Sequence, residues 1–127
     1  MPLVRISLLR GKSRAYRSAI AENVYQALRE SFNVPEDDRF TVITEHDPEE
    51  LVFSRNYMGM ARTEDFVLIQ LTVSNTRTQA QKNALYARIV ERLQQAPGIA
   101  PDDVMISLIE GDKGNWSFGR GLAQYVM

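Results

Sequence analysis

The feature that most constrains this chain is an internal repeat. Moving the sequence along itself by 65 places sets one half on the other without a gap. Ser13 falls on Thr78, Ala15 on Ala80, Ala19 on Ala84 and Leu28 on Leu93. Asp37 and Asp38 fall on Asp102 and Asp103, Glu45 on Glu110, and Asp47 on Asp112. The halves run over about residues 2–47 and 67–112 of a single domain spanning 1–127.

Each half reads as strand, helix, turn and strand. Residues 2–9 alternate or run apolar and form a first strand. Ser13 caps a helix over about 14–31, whose Tyr16, Ile20, Val24, Ala27 and Leu28 share one face. Asn33 ends it, Val34 to Asp38 is a turn, and the β-branched, aromatic Arg39 to Thr44 is a second strand. In the other half, Phe66 to Val73 is the strongest strand, apolar enough to predict a central position. Thr78 and Gln81 have capping-box spacing, and Leu85, Ile89 and Leu93 point inward from the helix that follows. Gly98 suits its C-terminal cap, and Val104 to Ile109 is the last strand.

Two βαβ units with right-handed crossovers make a four-stranded sheet with both helices on one face, an α+β fold. The strands are too apolar for the other sheet face to stay wet, which predicts burial against other subunits. Residues 45–64 are ambiguous; Leu51-Val52-Phe53 fits a short extra strand and Met58-Gly59-Met60 a loop. In the tail, Trp116 and Phe118 precede Gly119-Arg120-Gly121 and Leu122 to Met127, which reads as a short hairpin with both aromatics on one side.

Composition removes several functions. The net charge is −1, from 15 basic and 16 acidic residues, so no global field draws nucleic acid or an anionic membrane. No run of 18 apolar residues offers a membrane span, and Arg5, Ser7 and Arg10 interrupt any signal-peptide core. The absence of cysteine excludes disulfides and thiolate metal sites, and a single histidine, His46, argues against histidine-bound zinc. His46 reads as a loop or strand-end residue, and Asp47, Glu49 and Glu50 as a solvated acidic face. A cytoplasmic protein acting without metal is expected.

The chain opens Met1-Pro2-Leu3. A small second residue favours removal of the initiator methionine, which would leave Pro2 as a free secondary amine on a rigid strand. An α-amino group has a pKa of about 7.7–8.0, and burial or a neighbouring cation depresses it further. Proline at the first position of a strand is also simply good strand chemistry.

Further segments give this opening a context: Val34-Pro35-Glu36-Asp37-Asp38-Arg39-Phe40, Ser74-Asn75-Thr76-Arg77, Pro101-Asp102-Asp103-Val104 and Asn115-Trp116-Ser117-Phe118-Gly119-Arg120-Gly121. With these and the repeat, the chain resembles the tautomerase superfamily nearly end to end, and within it the malonate semialdehyde decarboxylase-like group. The resemblance implies a homotrimer, no cofactor, and Pro2 as catalytic acid or base. It matches Asp38 to an active-site aspartate that orients or activates water or a substrate oxygen; Asp38 also fits a plain turn, and the repeat sets Asp103 in the same place. It matches Arg77 to the second arginine of an Arg-x-Arg pair that grips a carboxylate, a role that competes with that of a solvated residue before a helix. The first arginine is replaced by Asn75, which leaves one guanidinium for carboxylate binding and an amide for a substrate oxygen. Trp116, Phe118 and Tyr125 match an apolar wall that would disfavour charged Pro2.

The expected function is tautomerisation of small oxo acids, with no nucleic acid or membrane partner. Decarboxylation of a 3-oxo acid and a non-catalytic trimeric binding protein are the alternatives. The lone arginine favours tautomerisation of an enol acid such as phenylenolpyruvate over decarboxylation of malonate semialdehyde.

Overall fold

The computed structural model describes residues Met1–Met127. Strand β1 (Pro2–Leu9) leads to helix α1 (Arg14–Phe32) and strand β2 (Phe40–His46); β3 (Val67–Ser74), α2 (Gln79–Gln95) and β4 (Val104–Gly111) repeat the pattern. The sheet order is β2-β1-β3-β4. β1 runs parallel to β2 and β3 parallel to β4, while the two halves meet antiparallel across β1 and β3. In that central pairing Arg5 lies opposite Gln70, its own counterpart in the repeat. The halves are therefore related by a local two-fold axis through this pair.

Local chemistry explains the helix starts. Ser13 accepts from the Tyr16 N–H at 3.1 Å. Thr78 accepts from the Gln81 N–H at 3.2 Å, and Gln81 accepts in return from the Thr78 N–H at 2.8 Å. These are the donors a helix cannot satisfy internally. Asn33 ends α1 in the left-handed conformation with φ 54°. α2 stops slightly earlier than expected, with Ala96 as its cap, and Gly98 follows at φ 102° to bond the Leu93 carbonyl at 3.0 Å.

Val4, Ile6 and Leu8 of β1 and Val67, Ile69, Leu71 and Val73 of β3 face the helices and pack with Ile20, Val24, Leu28, Leu85, Ile89 and Leu93. This is the core, and truncating one of its large side chains to alanine costs about 2–5 kcal/mol. Equivalent ion pairs tie each helix to its own half, Arg17 to Glu45 and Lys82 to Glu110. Arg88 and Arg92 of α2 both reach Glu30 of α1.

The opposite sheet face is covered by no helix. Phe40, Val42, Met105 and Ile109 are exposed on its outer strands, while Arg5, exposed, and Gln70, half-buried, run across its middle. It is thus less uniformly apolar than the strand sequences suggest: apart from Ser74 at its end, β3 is fully buried only on its helix side.

Two sequence expectations fail. Leu51-Val52-Phe53 forms no strand; Val52 is exposed, and Phe53 stacks on Phe66 with ring centroids 4.1 Å apart. The tail is no regular hairpin but a single bridge between Gly119 and Leu122 with a turn of 3₁₀ helix on either side. Gly119, Arg120 and Gly121 all take positive φ, which turns the chain too tightly for a ladder to propagate. The two aromatics still share a side: Trp116 and Phe118 stack at 6.0 Å with planes 8° apart. No helix is long and apolar enough to cross a membrane.

Candidate active site

The site forms where β1 begins. Pro2 is buried and lies opposite Val73, while Leu3 lies opposite Phe40. The turn before β2 closes with the Asp38 N–H on the Pro35 carbonyl at 3.1 Å, which aims the Asp38 side chain at the start of β1. Met1 is buried, and its amine donates to the Asp38 carboxylate and, at 3.1 Å, to the Tyr125 hydroxyl. The chain thus brings its first nitrogen, an aspartate from the turn before β2 and a tyrosine from the tail to one point.

Arg77 stands at the edge of this group. Its Nη2 donates to the Phe32 carbonyl at 2.9 Å, and its guanidinium lies 4.7 Å from the Phe32 ring centre. Burial lowers its pKa, against the opposing pull of Tyr125 and Asp38. Tyr125 is pushed up, first by burial and then by the Asp38 charge, with Arg77 acting the other way. Asp38, Tyr125 and Arg77 therefore sense one another electrostatically.

An aromatic wall completes the site. Phe118 meets the Tyr125 ring edge-on at 4.9 Å and Phe40 at 6.2 Å. Met1, Leu3, Phe40, Trp116, Ser117 and Phe118 line a cavity of about 190 Å³. Its size suits a small organic acid, and Asp38 and Tyr125 line an adjoining hollow that shares Phe40 and Phe118 with it.

Pro2, Asp38, Arg77, Trp116, Phe118 and Tyr125 therefore converge. Asn75 does not join them: its amide donates to Asp112 at 2.7 Å, and its backbone N–H to the Gly111 carbonyl at 3.1 Å. Tyr125 gives more than an apolar surface, because its hydroxyl meets the amine. Sequence reasoning missed Leu3 and Phe40 as wall residues and Phe32 as the support of Arg77. The first two were accessible from the pairing of the starts of β1 and β2; the third depends on helix docking. His46 is a strand-end residue within reach of the Thr44 hydroxyl at 3.0 Å, and Asp47 is engaged by Arg10 at 3.1 Å.

Comparison with known proteins places this arrangement. Two family models, each described as "Tautomerase enzyme", match residues 38–119 and 2–60. The probable tautomerase YusQ of Bacillus subtilis (strain 168) is 36% identical over 126 residues, covering 99% of both chains. The probable tautomerase YrdN of the same organism is 32% identical over 99% of this chain and 97% of its own. The chain belongs to the tautomerase superfamily, and it is an enzyme of the isomerase or decarboxylase-like kind rather than a binding protein. Among solved structures it is similar to malonate semialdehyde decarboxylase, with a TM-score of 0.92 and 31% identity over 98% of this chain and 95% of that one. The FG41 malonate semialdehyde decarboxylase inhibited by 3-bromopropiolate also superposes at 0.92, with 39% identity over 98% and 94%. Native fused 4-OT, at 0.80 and 16% identity over 98% of each chain, shares the fold.

Proposed function

We propose that this tautomerase interconverts the keto and enol forms of a small oxo acid, with Pro2 as the proton carrier once Met1 is removed. The observation that carries the reading is the contact of the chain's first amine with Asp38 and Tyr125 beside Arg77. One residue shorter, the free amine is the proline ring nitrogen at the head of β1. Neutral, it takes a proton from the substrate; protonated, it returns one to the other end of the enol system. Arg77 grips the carboxylate, Asp38 and the Tyr125 hydroxyl hold the oxygen that gains or loses a proton, and Trp116 and Phe118 exclude water. Asn75, engaged by Asp112, is left out of these contacts.

Decarboxylation of a 3-oxo acid is the second reading, supported by the likeness to two malonate semialdehyde decarboxylases. There protonated Pro2 would polarise the carbonyl while the bond to the carboxylate breaks. Its electron pair would enter an enolate, and Pro2 would supply the proton that completes the product. The chain would act as a homotrimer built on the uncovered sheet face. The deciding experiment is a panel of 2-oxo and 3-oxo acids on protein whose N-terminal proline is verified by mass. Tautomerisation should fall about 10²–10⁴-fold in Pro2→Ala; full activity in that variant would refute the reading.

A further inference from the structure

We propose that Asp112 determines which carboxylic acids this site accepts, by holding Asn75 away from the substrate and by setting an unpaired negative charge beside the loop that carries Arg77. The inference rests on the reading above in one respect, that Arg77 takes the substrate carboxylate.

The two-fold repeat supplies the argument. Asn75 corresponds to Arg10 and Asp112 to Asp47. In the first half the Arg10 Nε donates to Asp47 at 3.1 Å, and the Arg10 N–H bonds the His46 carbonyl at 2.8 Å. In the second half the Asn75 amide donates to Asp112 at 2.7 Å, and its N–H bonds the Gly111 carbonyl at 3.1 Å. The backbone contact is the same in both, so the fold delivers a carboxylate to this position whichever side chain occupies it. In the first half a guanidinium neutralises that carboxylate. In the second an amide satisfies one of its oxygens and leaves its charge uncancelled, because no basic side chain forms an ion pair with Asp112.

The position matters because Asn75 is two residues from Arg77, and because Glu110, Gly111, Asn115 and Trp116, which flank Asp112 in the chain, line a cavity that shares Leu3 and Trp116 with the site; the Glu110 charge is neutralised by Lys82 at 2.6 Å, which leaves Asp112 as the uncancelled one. An acid with one carboxylate can reach Arg77 and lay its remainder on the aromatic wall. A second carboxylate on an acid that extends along this cavity approaches Asp112 at its rim, and two unit charges 4 Å apart in water repel by about 1 kcal/mol, near fivefold in affinity. An arginine introduced at 75 would be captured by Asp112 as Arg10 is by Asp47. Widening the site to diacids therefore takes both changes together.

The chain's single tryptophan, Trp116, lines the cavity and reports binding by fluorescence without turnover. Butyrate and succinate, equal in length and unreactive here, are titrated into wild type, Asp112→Asn, Asn75→Arg and the double variant. Asp112→Asn keeps an acceptor for Asn75 and removes the charge. Butyrate should bind wild type more tightly than succinate, and Asp112→Asn should narrow that ratio about fivefold. Asn75→Arg alone should leave it within about twofold, and the double variant should move it about tenfold or more toward succinate. A ratio unchanged in Asp112→Asn, or inverted by Asn75→Arg alone, overturns the proposal. Butyrate binding that is absent from wild type, or as tight in Arg77→Ala, refutes instead the assignment of the carboxylate to Arg77, and the proposal falls with it.

Discussion

Asp38 and Asp103 occupy the same place in the two halves, yet one accepts from the Met1 amine and the other from Thr63. Asp103 is 1% exposed and takes both the N–H and the hydroxyl of Thr63 at 2.7 Å. Phe66 stands at the repeat position of Met1, and Val67 at that of Pro2. The segment joining the halves thus fills in the second half the position that is a site in the first. The same carboxylate is structural where its donors are an amide and a hydroxyl of its own chain, and available for chemistry where its partner is an amine.

The two aspartates should separate on mutation. Asp103→Ala removes the buried acceptor that holds both Thr63 donors; Thr63 is itself exposed and can turn them partly to water, so the loss should be about 0.5–1.5 kcal/mol for each bond. Asp38→Asn keeps an acceptor at the turn, so stability should change little while tautomerisation falls. Urea midpoints and initial rates on both variants test this. Equal losses of stability, or an active Asp38→Asn enzyme, would refute the division.

The architecture was open to reading because its signals are local and occur twice. Ser13 and Thr78 cap their helices, and apolar spacing marks one face of each. The segment between the halves was not readable, since Phe53 acquires its role only by stacking on Phe66. In the tail, Arg120 takes a positive φ of 60°, which nothing about arginine announces. At the site, the resemblance pointed to Pro2, Asp38 and Arg77, but the aim of the Tyr125 hydroxyl depends on how the tail returns to the start of β1. The bond of Asn75 to Asp112 lay within reach, because the 65-residue shift sets that pair on Arg10 and Asp47.

Acid should weaken the contact between the helices. Arg88 and Arg92 hold the Glu30 carboxyl at about 2, below its ordinary 4.5. A carboxylate with a depressed folded pKa stabilises fully above its unfolded value, and that contribution disappears as pH falls from about 4.5 to 2. Glu30 is 38% exposed, so screening limits the effect to about 1 kcal/mol or less. Glu30→Gln should therefore be less stable than wild type at pH 7, with the gap closing near pH 2. A gap of constant size from pH 7 to pH 2 in urea titrations would exclude this role.

The uncovered sheet face should be where copies meet. Val42 is 40% exposed on β2 and Ile109 50% exposed on β4, both on the side away from the helices. If three chains bury these faces, Val42→Asp sets an unpaired charge in the interface and should release folded monomers. Sedimentation of wild type and variant at micromolar concentration reads this directly. A wild-type protein that is already a stable monomer would count against the trimer.

Arg77 carries two loads, and a conservative substitution separates them. One edge of its guanidinium bonds the Phe32 carbonyl at 2.9 Å, at the negative end of α1, while its plane lies 4.7 Å from the Phe32 ring centre. These contacts fix the plane; Nη1 also donates to the Thr76 hydroxyl at 3.3 Å, and the remaining N–H groups are left for a substrate carboxylate. Arg77→Lys keeps the charge and loses the plane, so both the stacking and the two-point grip go. The lost stacking and carbonyl bond should cost about 1 kcal/mol of stability. Carboxylate binding is common to ground and transition states, so KM should rise about tenfold with a smaller change in kcat. Arg77→Ala should do more on both counts, and added guanidinium ion should restore part of its activity by refilling the vacated place. A loss of stability in Arg77→Lys with KM unchanged would mean that Arg77 only caps α1, and that another group holds the acid.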